Sequence, residues 1–251
     1  MIKLYHGDCL KEMDKLIEQG VKVDAVIADI PYGSTKCKWD SVIPFDEMWL
    51  RLNKLIKNDG AVILFGRNPF FSKLILSNES KYKYEIIWDK NAGTDFAQAS
   101  NKPITVHENI AIFSNGKIKY NRINDTGFKP YSDNRTIKKS SELGAKGLTH
   151  REPFKDKTTR TPTTIRTYFP DNRKGKGSSL HPTQKPIDLM SFLVKAYTNE
   201  NETVLDFTMG SGTTMAAAQN LNRNGIGIEL DDNYFQIAKD RIEANQVETA
   251  D

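Results

Sequence analysis

Four short apolar runs, Val23 to Ala28, Ala61 to Phe65, Thr203 to Leu205 and Gly225 to Leu230, recur along this chain with helical segments between them. Runs this short and this continuous read as strands buried on both faces, which calls for a parallel sheet covered by helices on either side. Ile2 to Tyr5, Tyr84 to Trp88 and Ile104 to Phe113 are expected as further strands. Helical spacing runs through Leu10 to Gln19, through Phe45 to Ile56 with Phe45, Trp49, Leu52 and Ile56 on one face, and through Pro69 to Leu76. It returns at Ile187 to Tyr197, at Thr213 to Leu221 and at Tyr234 to Ala244. A chain of 251 residues with this alternation is expected to form one large α/β domain with an insertion.

The insertion shows in the charge. Lys117 to Lys176 holds 16 Lys and Arg against 6 Asp and Glu, leaving the remainder at −6 in a chain of net charge +4. Periodicity also fades between Gly116 and Leu180, where Gly, Pro, Thr, Ser, Asn and Lys dominate. Such a block fits a polyanion contact or a solvated loop, and charge alone does not choose between them. No stretch approaches the roughly 18 apolar residues of a membrane span. The opening MIKLYHGDCL lacks the pattern of a signal peptide. Two cysteines, Cys9 and Cys37, are too few for a disulfide framework, and a cytoplasmic location is expected. Neither has the partners of a zinc site, so no metal is expected.

Two strand ends, 177 residues apart, carry the chemistry. After Val23 to Ala28 comes Asp29-Ile30-Pro31-Tyr32-Gly33, a carboxylate, a stiff bend and an aromatic, suited to holding a planar amine. After Thr203 to Leu205 comes Asp206-Phe207-Thr208-Met209-Gly210-Ser211-Gly212-Thr213, a turn whose glycines let backbone approach a ligand at a helix start. Some twenty residues on, Glu229 ends a strand where an acid can accept from ribose hydroxyls. That geometry serves NAD and S-adenosylmethionine (AdoMet) alike. The absence of G-x-G-x-x-G argues against a dinucleotide.

Taken with His181-Pro182-Thr183-Gln184-Lys185-Pro186, these segments resemble the amino-group DNA methyltransferases, which act on adenine N6 or cytosine N4. The catalytic motif precedes the cofactor motif, as in that family's beta arrangement, and the resemblance covers about residues 2–114 and 180–244. It implies an α/β, Rossmann-like, AdoMet-dependent methyltransferase fold, with a mostly parallel central sheet, helices on both faces, a circularly permuted motif order and a basic insertion. Residues 1–115 would be the catalytic half, 116–180 the insertion and candidate target-recognition region, and 181–251 the AdoMet-binding half.

By the same resemblance the catalytic residues are Asp29, Ile30, Pro31 and Tyr32. The cofactor residues are Asp8 and Cys9 near the adenine, His181 and Lys185 near the methionine, Glu229 at the ribose, and the turn formed by Asp206, Phe207, Gly210, Ser211, Gly212 and Thr213. The family pattern is Asp-Pro-Pro-Tyr, so Ile30 is a departure, tolerable if that position works through its carbonyl. An Asp at the first position is typical of adenine-N6 enzymes and Ser of cytosine-N4 enzymes, which makes adenine N6 the expected target and cytosine N4 the alternative. Cytosine-C5 chemistry needs a cysteine nucleophile in a Pro-Cys pair, which neither cysteine supplies. A methyltransferase of RNA or of protein glutamine would use a similar pocket, but the basic insertion and motif order favour DNA. A non-catalytic DNA-binding module would leave Asp29, Glu229 and the HPTQKP segment unexplained.

The expected partner is double-stranded DNA, with its target base rotated out of the stack. Lys36 and Lys38, after the catalytic motif, and Arg135, Lys138, Lys139, Arg151, Arg160 and Arg166, in the insertion, are the candidate DNA contacts. Trp39 fits packing better than base stacking. A homodimer and membership of a restriction-modification system are weaker family expectations. The recognition sequence is not legible.

Overall fold

The computed structural model describes residues 1–33, 41–94, 96–129, 158–170 and 184–248. Lys36, Lys38, Trp39, Arg135, Lys138, Lys139, Arg151 and His181 lie outside the described residues. The chain divides into two units, Met1–Asn121 with Thr164–Asp251, and Arg122–Thr163.

The larger unit holds strands β1 (Ile2–His6), β2 (Val23–Ala28), β3 (Ile56–Gly66), β4 (Tyr82–Thr94), β5 (Thr105–Phe113), β6 (Ile165–Thr167), β7 (Thr203–Asp206) and β8 (Asn224–Glu229). Its helices are α1 (Cys9–Glu18), α2 (Phe45–Leu55), α3 (Phe70–Leu76), α4 (Ile187–Tyr197), α5 (Thr213–Asn220) and α6 (Asp232–Glu248). The strands form one sheet in the order β1-β8-β7-β2-β3-β5-β4-β6. From β1 to β3 every pairing is parallel; β5 runs antiparallel to both β3 and β4, and β6 is parallel to β4.

Alternation along β2 shows how the sheet is covered. Val26 and Ala28 join a core with Met13 and Leu16 of α1, Met48, Trp49, Leu52 and Leu55 of α2, and Phe70, Phe71 and Leu74 of α3. Ala25 and Ile27, one residue out of phase, are fully buried on the other face. There α4, with buried Leu189, Leu193 and Val194, packs against β2 and α5. Covering both faces is what allows β2 to be apolar almost throughout, and this is the layered α/β architecture expected from the sequence.

Helix ends are set by local chemistry. Asp8 caps α1, its Oδ1 accepting from the Lys11 amide at 3.1 Å. The Asp231 carboxylate accepts from the amides of Asn233 and Tyr234 at 2.9 and 3.1 Å, so α6 begins ahead of the expected Tyr234. The helix expected to reach Ile56 stops at Leu55. Ile56 instead opens β3 opposite Val23, and after a register shift Ala61 pairs with Ala25. Lys57, in the residues taken up by that shift, pairs at 2.7 Å with the buried Asp24.

Two strand features were not expected. β4 runs well past Trp88, because Lys90 is buried there against Glu108 of β5. β6 adds an edge strand inside the 116–180 range, placing Arg166 opposite Trp88. Three residues with Ile165 and Thr167 exposed carry no periodic signal. The separate unit is accordingly narrower than the expected insertion. Within it, Asp125 and Arg160 exchange backbone hydrogen bonds at 2.8 and 2.9 Å, and the Arg160 guanidinium lies 5.1 Å from the Phe128 ring.

Candidate active site

From β2 the chain crosses through α2 to β3 on one side; from β7 it crosses through α5 to β8 on the other. The carboxyl ends of β2 and β7 therefore flank the point where the winding reverses, the place where open α/β sheets hold ligands. A cavity of about 480 Å³ opens there. It is lined by Asp8 and Cys9 after β1, Asp29 to Tyr32 after β2, Asp206 to Ser211 after β7, and Glu229 at the end of β8. All four chain segments expected to carry chemistry in the described residues thus meet in one place, together with Lys185.

Three residues of the DIPY segment, Asp29, Ile30 and Tyr32, are held by their surroundings. Ile30 is 3% exposed and belongs to the core, which leaves its main chain for the cavity and accounts for an apolar residue at this position. Tyr32 packs on Phe70 with ring centroids 5.1 Å apart, and its hydroxyl donates to Asp29 Oδ1 at 2.7 Å. Burial and the Asp29 charge push the phenol pKa well up, so Tyr32 serves as a neutral donor. The Asp29 carbonyl accepts from the Thr208 hydroxyl at 3.2 Å, tying the DIPY loop to the glycine turn.

On the opposite wall, Glu229 organises the turn. Its Oε2 accepts from the Gly210 amide at 2.8 Å and its Oε1 from the amides of Leu230 and Asp231 at 2.9 Å each. A carboxylate has about four acceptor sites, so one remains for a ligand donor. Gly210 and Gly212 both take left-handed backbone, with φ of +54° and +76°. A Cβ on Gly210 would meet nothing within 4 Å, whereas one on Gly212 would lie 3.0 Å from the Ala238 Cβ. Gly212 lies behind the lining, where it seats the turn against α6; the others line the cavity. Ser211 donates to Gln184 at 3.4 Å, and Thr213 accepts from Arg241 at 2.9 Å.

Burial raises the pKa of two groups at this site. Asp206 is 3% exposed, and its pKa is raised to about 7, although the Thr214 hydroxyl and Thr208 amide donate to it at 2.5 and 3.1 Å. The Cys9 thiol is pushed up to about 12 by burial and by Asp8, which excludes a thiolate nucleophile at neutral pH.

Lys185, expected near the methionine, lines the cavity and is paired there with two carboxylates. Its ammonium donates to Asp29 Oδ2 and lies 3.3 Å from Glu108 Oε2. Burial works against that charge, but the two carboxylates outweigh it and the pKa is raised. Glu108 shows the mirror case: burial opposes its charge, yet Lys185 and Lys90 hold it well below the usual carboxylate range. Glu108 and Lys90 were missed in the sequence. A signal was present, since an acid inside the apolar strand Ile104 to Phe113 needs a partner when buried. Of the expected DNA contacts, Arg160 donates to the carbonyls of Thr159 and Lys129 within its own unit. Arg166 lies 4.6 Å over Phe192 at the sheet edge. Both are engaged inside the protein. Among the described residues no cluster of His, Cys, Asp or Glu could hold a metal ion, and no helix is long and apolar enough to cross a membrane.

Known proteins share this arrangement. A DNA methylase family model matches residues 23–240. The type II methyltransferase M1.MboII of Moraxella bovis is 30% identical, across 94% of this chain and 94% of that one. The crystal structure of the M1.HpyAVI–SAM complex is 28% identical, with a TM-score of 0.66 over 96% of this chain and all of that one. PvuII DNA methyltransferase, a cytosine-N4-specific enzyme, shares the fold with a TM-score of 0.65 over 96% of this chain and 86% of its own, at 16% identity.

Proposed function

This chain belongs to the N6/N4 DNA methylase family, whose members are AdoMet-dependent DNA methyltransferases, and from that premise we propose that it methylates the N6 amine of adenine in duplex DNA. The observation that carries the reading is the Asp29 carboxylate, 27% exposed, facing the same cavity as Glu229 and the glycine turn. The acidic first residue of DIPY is the feature that favours adenine over cytosine. Its relatives also support a role beside a restriction enzyme, since M1.MboII is a type II methyltransferase.

The cavity suits AdoMet on chemical grounds. Glu229 would hold a ribose hydroxyl, Asp8 and Cys9 would border the adenine, and the turn from Asp206 to Thr213 would lie along the remainder. When bound, AdoMet supplies an electrophilic methyl group on a sulfonium centre.

The protein's task is then to make a poor nucleophile react. The lone pair of an exocyclic amine is spread into the ring, and it gains nucleophilicity as the nitrogen becomes pyramidal. Asp29 Oδ2 would accept one amine N–H and the Ile30 carbonyl the other, contacts that strengthen as positive charge grows on nitrogen. Holding the nitrogen in line with the methyl provides the rest. Tyr32 orients Asp29 through its hydroxyl and gives the extruded base an aromatic neighbour. The basic segment around residues 117–176 would bind DNA phosphates, making affinity steeply salt dependent.

The test is to incubate the protein with labelled AdoMet and unmethylated duplex DNA, then digest to nucleosides and identify the product by mass. N6-methyladenine supports the proposal. N4-methylcytosine contradicts the choice of base and retains the chemistry.

A further inference from the structure

Lys90, Glu108, Lys185 and Asp29 form a line of alternating charge that runs from β4 into the cavity. Lys90 donates to Glu108 Oε1, Lys185 lies 3.3 Å from Glu108 Oε2, and Lys185 donates to Asp29 Oδ2. The side chains of Lys90, Glu108 and Lys185 are 11%, 9% and 9% exposed, against 27% for Asp29. Asp29 is the open end of a chain of otherwise buried ions. Burying three such charges is expensive unless each is well paired. One pairing is incomplete: Glu108 Oε2 is buried and ion-paired with Lys185 at 3.3 Å, but it receives no well-aligned hydrogen bond. Lys185 therefore donates to one carboxylate while an unfilled acceptor stands beside it.

This matters if Asp29 accepts the target amine, the reading on which this inference rests. In the structure Tyr32 donates to Oδ1 and Lys185 to Oδ2 of Asp29. An ammonium held there weakens the carboxylate as an acceptor and repels the positive charge that develops on the amine. We propose that Glu108 is a positioning residue that draws Lys185 off Asp29 when the target amine arrives. Lys185 transfers its donor hydrogen bond to Glu108 Oε2, and Asp29 Oδ2 accepts the amine N–H in its place. The ammonium keeps all its protons, and only hydrogen bonds exchange. Lys90 grips the other oxygen of Glu108, so the receiving carboxylate is already fixed before the exchange.

The test is a double-mutant cycle with Glu108→Gln, Lys185→Met and the pair, read as the single-turnover rate of methyl transfer to duplex DNA. AdoMet affinity and thermal melting are measured alongside. Glu108→Gln is expected to slow transfer about tenfold when Lys185 is present and by less than about twofold in the Lys185→Met background. AdoMet affinity is expected to stay within about twofold, since Glu108 pairs with Lys90 and Lys185 rather than with Glu229 or the glycine turn. Equal slowing in both backgrounds, or no slowing in the first, overturns the proposal. If Glu108→Gln does not fold, Glu108→Asp, which keeps the charge and withdraws it by one methylene, carries the same comparison. Asp29→Ala separates the two levels. An active Asp29→Ala defeats the reading of Asp29 itself, whereas an inactive one with equal slowing across the cycle defeats only the role of Glu108.

Discussion

The Tyr32 hydroxyl donates to Asp29 Oδ1 at 2.7 Å, so the last residue of the DIPY motif orients the first. The ring of Tyr32 is set in turn by Phe70 at 5.1 Å, which puts the carboxylate under the control of the hydrophobic core. Tyr32→Phe keeps the ring and its packing while removing the donor. It is expected to lower kcat about tenfold with the AdoMet dissociation constant unchanged. Steady-state kinetics with calorimetric AdoMet titration checks this, and a loss confined to AdoMet binding would contradict it.

Glu229 accepts from three backbone amides and shapes one wall of the cavity proposed to hold AdoMet. Glu229→Gln replaces two acceptor oxygens by one oxygen and an NH₂ that faces an amide. Charge-assisted bonds of this kind contribute about 1.5–3 kcal/mol each, so AdoMet affinity is expected to fall at least about tenfold. Titration calorimetry reads the change directly, and unaltered affinity would remove Glu229 from the cofactor site.

Asp206 gives the protein a pH signature. Burial raises its carboxyl pKa to about 7 from the ordinary 3.8, so the folded state holds this proton more tightly than the unfolded chain does. The resulting stabilisation is complete below about pH 4 and is lost as pH rises through 7. Asp206→Asn cannot titrate, and its melting temperature is expected to fall less than that of the wild type between pH 5 and 8. Parallel slopes in the two melting series would contradict the assignment.

Gly212 and Gly210 separate strain from crowding. Both have positive φ, but only at Gly212 would a Cβ reach 3.0 Å from Ala238. Gly212→Ala is expected to destabilise the fold by about 2 kcal/mol and Gly210→Ala by about 1 kcal/mol. Urea unfolding of the two variants provides the comparison, and the reverse order would show that the α6 contact yields.

Much of this architecture was legible because strands such as Val23–Ala28 are apolar at all but one position and end in residues of opposite character. The motifs at Asp29 and Asp206 were each legible at a strand end, whereas their adjacency comes from the sheet order, which sets β2 beside β7. Three things were hidden for physical reasons. β6 is three residues long and half exposed, so it leaves no periodic trace. The Lys90–Glu108–Lys185 line joins residues from β4, β5 and the segment before α4, and sequence spacing does not encode such a meeting. Arg166 was expected as a DNA contact, and its stacking over Phe192 was not foreseen, because a guanidinium can lay its flat face on an aromatic ring.

The measurement that bears most directly on the central claim pairs equilibrium AdoMet binding with single-turnover methyl transfer to duplex DNA, for wild type and Asp29→Ala. The expected result is AdoMet affinity within about threefold of wild type and a transfer rate lower by at least about a hundredfold. Transfer by Asp29→Ala at close to the wild-type rate would show that the cavity at the ends of β2 and β7 does not use this carboxylate.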